Sequence, residues 1–118
     1  MEQLFLFIVA HAVCDFVLQG EAMGSGKNRR RDMAAVRGPG FPPWYYWLGA
    51  HGITHGGAVY LISGLWPLGA LEAAIHVGID FLKCEGRLSF NQDQGLHLVC
   101  KLAYVAIGVN TLRTGTGN

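Results

Sequence analysis

The sequence predicts an all-α fold, a four-helix transmembrane bundle forming one domain over residues 1–118, and three observations carry that prediction. Of the 118 residues, 51% are hydrophobic but only 14% are charged, against about 25% charged in an ordinary soluble domain. The apolar residues gather into four segments, 2–19, 44–65, 67–83 and 94–112. The basic residues gather elsewhere: Lys27, Arg29, Arg30, Arg31 and Arg37 all fall in segment 20–43. The hydrophobicity excludes a disordered chain, and three cysteines without paired spacing exclude a disulfide scaffold. A net charge of +1 points to no class of partner.

A helix needs about 20 residues to cross the hydrocarbon core of a bilayer. Segments 44–65 and 94–112 have that length, whereas 2–19 and 67–83 are short and cross only with flanking residues or in a thinned bilayer. The first segment is not a signal peptide, because Glu2 stands where a basic region belongs and no small-x-small site follows Leu18. A soluble bundle would need a charged outer face on every helix, which these segments lack. Pro42 and Pro43 ahead of Trp44, Tyr45, Tyr46 and Trp47 suit a helix that starts at a membrane interface. Trp66-Pro67 punctuates the next turn, and Gly52-Ile-Thr-His-Gly56 lets a neighbouring helix approach closely.

The loops are short except for 20–43, which is basic and rich in Gly and Pro. The positive-inside rule puts that loop, and the one carrying Lys83 and Arg87, in the cytoplasm. Both termini then lie outside, in a multi-pass protein of the inner (cytoplasmic) membrane whose partner is the lipid bilayer. Gly24-Ser-Gly-Lys27 resembles part of a phosphate loop, but Glu21 and Asn28 replace the Gly and the Ser/Thr of that motif. The arginine run reads as a topology determinant that touches anionic lipid, not as a nucleic-acid site.

Within the apolar segments the polar residues follow a rule. His11 and Asp15 are four apart, as are His51 and His55, Asp93 and His97, and the series Glu72, His76, Asp80. Gln19 continues the first stripe and Lys83 the third. Residues at i and i+4 share a helix face, so every segment carries one polar stripe. Counted from the cytoplasmic ends, all the stripes fall in the same half of the bundle and can face one another. An ionised group in that position costs several kcal/mol unless paired, so such groups mark ion paths, proton relays or metal sites. Glu72 and Lys101 lie at similar depth and can simply pair.

Mixed imidazole and carboxylate donors suit a divalent metal, Zn²⁺ first, and an open position would activate water. The candidate ligands are His11, Asp15, His51, His55, His76, Asp80, Asp93 and His97, enough for one or two ions. Haem suits them poorly, since carboxylates beside a porphyrin have no role. Cys14, Cys84 and Cys100 form neither a CxxC pair nor a disulfide framework, and Cys100, three residues after His97, reads as a small buried apolar residue rather than a soft ligand.

The motifs His11-Ala-Val-Cys-Asp15-Phe16-Val-Leu-Gln19, His51-Gly-Ile-Thr-His55, His76-Val-Gly-Ile-Asp80-Phe-Leu-Lys83 and Asp93-Gln94-Gly-Leu-His97 occur in that order over nearly the whole chain. In this they resemble a family of small phage, prophage and bacterial integral-membrane proteins known only as a domain of unknown function. Lys27 matches a basic residue that follows the first span in that family. In style the motifs are also similar to those of the YdjM-type membrane-bound metal-dependent hydrolases. The long basic loop 20–43 departs from the family pattern.

The expectation is a divalent-metal-dependent hydrolase that acts on an anionic lipid or lipid-linked phosphoester at the cytoplasmic leaflet. Asp15 or Asp93 serves as general base, and Lys83 with Arg87 holds the anionic group. Two alternatives use the same residues: a proton or ion conduit, and a phage membrane interaction protein, an exclusion or anti-defence factor, with a structural metal. A homo-oligomer stays open.

Overall fold

The computed structural model describes residues 1–115, and the side chains of residues 1–108. Helix α1 (Glu2–Ala12) runs without a break into a π-helical segment (Val13–Val17). Two short helices follow, α2 (Glu21–Gly26) and α3 (Met33–Arg37). The long helices are α4 (Trp44–Ser63), α5 (Trp66–Cys84) and α6 (Phe90–Gly115), and no strand occurs among the described residues. The fold is therefore all-α, as expected.

The boundaries have local causes. Pro42 and Pro43 precede α4, and Pro67 sits in the first turn of α5, where its missing N–H removes no helix bond. Gly64, at φ +71°, ends α4 in the left-handed region and reverses the chain into α5. At the start of α6, Ser89 Oγ accepts from Gln92 N at 3.2 Å while Gln92 Oε1 accepts from Ser89 N at 2.9 Å, a reciprocal cap. The π-helical bond runs from Leu18 N to Val13 O at 2.9 Å. That widened turn sets the direction of Asp15.

Helices α4 and α5 form a tight antiparallel hairpin. A Cβ at Gly56 would strike the Gly69 carbonyl, and one at Gly69 would lie 2.7 Å from the Gly56 carbonyl. Helices α1 and α6 close the bundle over this pair. At one end its interior is an apolar core of Phe7, Val59, Leu68 and Tyr104. At the other end it is polar: His51, His55, His76, Asp80, Asp93 and His97 are buried. Many large apolar side chains instead face outward, including Phe5, Phe16, Val17, Ile53, Leu61 and Trp66.

The transmembrane part of the expected fold is overturned. No helix among the described residues is long and apolar enough to cross a membrane. The expected spans 2–19, 44–65, 67–83 and 94–112 are helical over most of their length, but α1 has 11 residues and α5 carries Glu72, Asp80 and Lys83. Helix α4 has 20 residues yet includes two histidines and four glycines, and α6 carries Asp93, His97 and Lys101. The stripe that builds the polar centre lowers the hydropathy of each helix. The multi-pass placement in an inner membrane, with both termini outside, fails with the spans. Loop 20–43 is also more ordered than expected. It holds α2 and α3, and its arginines form ion pairs, Arg29 with Glu85 and Arg37 with Glu21.

Candidate metal centre

The four polar stripes converge at one end of the bundle. Asp15 is the hub, aimed inward by the π-helical turn. Its Oδ1 lies 3.0 Å from His55 Nε2, 3.2 Å from His51 Nε2 and 3.8 Å from His76 Nε2. Its Oδ2 lies 3.2 Å from His11 Nε2 and accepts from Gln94 Nε2 at 2.9 Å. Burial alone would raise this carboxyl. The close approach of His11, His51, His55 and Gln94 outweighs burial and holds it far below the usual carboxylate range.

Two further carboxylates flank the hub. Asp80 Oδ2 pairs with Lys27 and lies 3.4 Å from His51 Nε2 and 3.9 Å from His76 Nε2. Asp93 Oδ2 accepts from Lys83 Nζ at 3.0 Å and from Gln94 Nε2 at 3.1 Å, while Oδ1 lies 3.6 Å from His97 Nε2. Burial works against the Asp93 charge, but His97 and Lys83 hold its pKa at about 2. One turn further into the bundle, Glu72 pairs with Lys101 and accepts from Tyr104 Oη at 2.6 Å. Burial opposes its charge too, and His76, Lys101 and Tyr104 hold it at about 2. Burial pushes His76 down to about 3 and His55 below its ordinary value. Neutral imidazoles beside ionised carboxylates are the protonation state that metal ligation needs.

The residues fit a divalent ion on two counts. The first is unsatisfied polarity: His76 Nε2, both ring nitrogens of His97, His51 Nε2 and Asp93 Oδ1 are buried without a hydrogen-bond partner. Each such group costs about 1–3 kcal/mol unless a ligand satisfies it. The rings are crowded as well, His55 stacking on His76 at 3.5 Å and His76 on His97 at 4.1 Å. The second is spacing. Four ligands at about 2.1 Å from a tetrahedral zinc stand about 3.4 Å from one another. The distances from Asp15 Oδ1 to His55, His51 and His76 bracket that value, at 3.0, 3.2 and 3.8 Å.

Three sets of donors have ligand atoms within 4.8 Å of one another: Asp15, His51, His55 and His76; His11, His76 and His97; and Asp80, Asp93 and His97. The first and third share no residue. All eight expected ligands therefore lie in one cluster, but the ammonium groups of Lys27 and Lys83 already neutralise the third set. The carboxylates of Asp15, Glu72, Asp80 and Asp93 outnumber the ammonium groups of Lys27, Lys83 and Lys101 by one. One divalent ion would turn the centre from net negative to net positive.

Three participants went unrecognised in the sequence. Lys27, read as a loop residue that sets topology, is 6% exposed and bonds Gln19 as well as Asp80. Gly26 makes this burial possible, because a Cβ there would lie 2.6 Å from the Trp47 ring. Gln94 joins His11, Asp15 and Asp93, and its place beside Asp93 in the fourth motif was the available signal. Tyr104, which supports Glu72, carried no signal beyond its spacing of three from Lys101. Arg87, expected to help hold an anion, has no contact with the centre among the described bonds, and Cys14, Cys84 and Cys100 are free thiols.

A groove of about 270 Å³ between α1 and α6, lined by Ile8, Ala12, Phe16, Leu98, His11, Gln94 and Lys101, reaches the centre from outside. The family described as "Protein of unknown function (DUF3307)" matches residues 3–115. No curated protein and no solved structure matches the chain.

Proposed function

The chain belongs to this DUF3307 family, and we propose that it is a divalent-metal-dependent hydrolase of a phosphoester. The observation that carries the proposal is the convergence of His55, His51 and His76 Nε2 on Asp15 Oδ1, at 3.0, 3.2 and 3.8 Å. Three imidazoles and one carboxylate favour Zn²⁺. The likeness of the motifs to those of YdjM-type metal-dependent hydrolases supports the same chemistry.

When bound, the ion supplies Lewis-acid activation of water and of a phosphoryl oxygen. With Asp15 assigned as a ligand, the base role expected of it passes to Asp93, whose Oδ1 is unpartnered and faces His97. The Asp93–His97 pair takes the proton of the attacking water as the new O–P bond forms. Lys83, partly exposed beside Asp93, holds a phosphoryl oxygen. His11, left over from the four-ligand set and open to the groove, gives a proton to the departing alkoxide as the P–O bond breaks. The positive centre left by one divalent ion suits an anionic substrate over a neutral one.

A second reading, a structural metal, is favoured by burial: His51, His55 and His76 are each no more than 2% exposed, as in closed structural sites. Elemental analysis by mass spectrometry on purified protein, with His76→Ala as control, comes first. One equivalent of Zn, Mn or Fe in the parent, lost in the control, is expected. Hydrolysis of bis(p-nitrophenyl) phosphate by the loaded protein separates the readings. Turnover supports the hydrolase, while bound metal without turnover of any phosphoester leaves the structural reading. Absence of metal after reloading sinks both.

A further inference from the structure

The groove between α1 and α6 differs from the other surface depressions in what lies at its floor. Ile8, Ala12 and Phe16 form a row at i, i+4 and i+8 on α1 and its π-helical extension. Gln94, Leu98 and Lys101 form the facing row on α6. The upper walls are apolar and open, Phe16 being 63% exposed and Leu98 46%. The floor is polar and belongs to the centre: His11 Nε2 lies 3.2 Å from Gln94 Oε1, and the Gln94 amide binds Asp15 and Asp93. One layer of side chains thus separates an apolar trough from the donor cluster. The depression walled by Leu65, Pro67, Leu68, Leu71 and Ile107 has no such floor.

We propose that this trough seats an alkyl chain of the substrate, which is therefore an amphiphilic phosphoester with its phosphate beside His11 and its chain between α1 and α6. The inference rests on the hydrolase reading and adds the substrate class to it. Size supports one chain: about 270 Å³ falls just below the range of about 300–1,000 Å³ typical of pockets for compact drug-sized ligands. Polarity supports the orientation. An apolar chain gains by leaving water along Ile8, Ala12, Phe16 and Leu98, and an anionic head gains beside a centre made positive by one divalent ion. A partner helix would need a longer apolar stripe, and this one is interrupted by His11, Gln94 and Lys101.

The test compares n-octyl phosphate, below its micelle concentration, with ethyl phosphate by isothermal titration calorimetry on the zinc-loaded protein. Each buried methylene contributes about a threefold to fourfold gain, so octyl phosphate is expected to bind at least about 100-fold more tightly. Ala12→Trp, which fills the trough, should cut that ratio to within about threefold. Leu98→Asn, which adds no bulk at an exposed position, should reduce it and guards against misfolding of the first variant. Equal affinities in the parent protein overturn the proposal, and so does an octyl preference that survives both variants. Failure of the two readings is distinguishable. Octyl preference without turnover of any phosphoester, octyl phosphate included, overturns the hydrolase and keeps the trough, whereas turnover without chain preference overturns the trough alone.

Discussion

Glu72 Oε1 stands 3.4 Å from His76 Nδ1, one turn away on α5, while Nε2 of the same ring lies 3.8 Å from Asp15 Oδ1. A carboxylate behind an imidazole orients the ring and leaves the far nitrogen free for a ligand, the usual arrangement behind a metal-binding histidine. Glu72 is held in turn by Lys101 and Tyr104, so the centre rests on a second layer of charge as well as on apolar packing.

Glu72→Gln keeps the shape of this layer but leaves the Lys101 ammonium buried without a counter-charge. Unfolding in denaturant should report a loss of about 3–5 kcal/mol. Adding Lys101→Met to the variant should recover a large part of that loss, because the stranded charge is gone. Zinc affinity in the double variant should still fall about 10–100-fold, since His76 has lost its orienting partner.

Acid should destabilise the metal-free protein in two stages. His76 ordinarily titrates at 6.5, but burial holds it neutral in the fold down to about 3. Between those values the unfolded chain binds the proton and the native one does not, so stability is complete above 6.5 and falls as pH drops. Glu72 and Asp93 are held at about 2 against ordinary values of 4.5 and 3.8. Their contribution is complete above 4.5 and is lost toward pH 2. Denaturation midpoints in EDTA should be level above pH 7, decline below 6.5 and steepen below 4.5. His76→Phe should make the decline between 6.5 and 4.5 shallower, with His55, which burial also lowers, supplying what remains.

The α4–α5 hairpin depends on backbone approach at one glycine and not at its neighbour. A Cβ at Gly56 meets the Gly69 carbonyl and Ala73, whereas one at Gly57 meets nothing within 4 Å. Gly56→Ala should cost about 1–3 kcal/mol by forcing the helices apart. Gly57→Ala should be neutral or stabilising by up to about 1 kcal/mol, since alanine favours the helix. Thermal unfolding of both variants checks the contrast, and equal effects would contradict the packing described.

Lys27 occupies one side of the third donor set by pairing with Asp80. Lys27→Met keeps the length of the side chain and removes its charge, which frees Asp80 beside Asp93 and His97. The measured metal content should then rise from one equivalent toward two. A content fixed at one would show that the ammonium is not what limits the site.

The helices were legible in the sequence because their signals are local. Pro43, Gly64 and Pro67 punctuate the chain where α4 ends or begins and where α5 starts, so the expected segment 44–65 meets α4 at Trp44–Ser63 within two residues. The meeting of the polar stripes was legible too, because residues at i and i+4 share a face and each segment carries at least one such pair. Lys27 was not. Its burial depends on Gly26 packing against Trp47, a contact between α2 and α4 that no spacing along the chain encodes. Nor did the scarcity of charge distinguish a bilayer-crossing helix from one that spends its polar residues on a shared interior.

By itself, then, the sequence determined the helical class, the approximate limits of the long helices and the set of imidazoles and carboxylates that share their faces. Only the tertiary structure decided that no described helix is long and apolar enough to cross a membrane, that Asp15 is the hub and that Lys27 and Gln94 belong to the centre. The reason is physical. Helix periodicity and turn chemistry act over three or four residues and can be read along the chain, whereas the partner of a buried charge is set by which helices pack together.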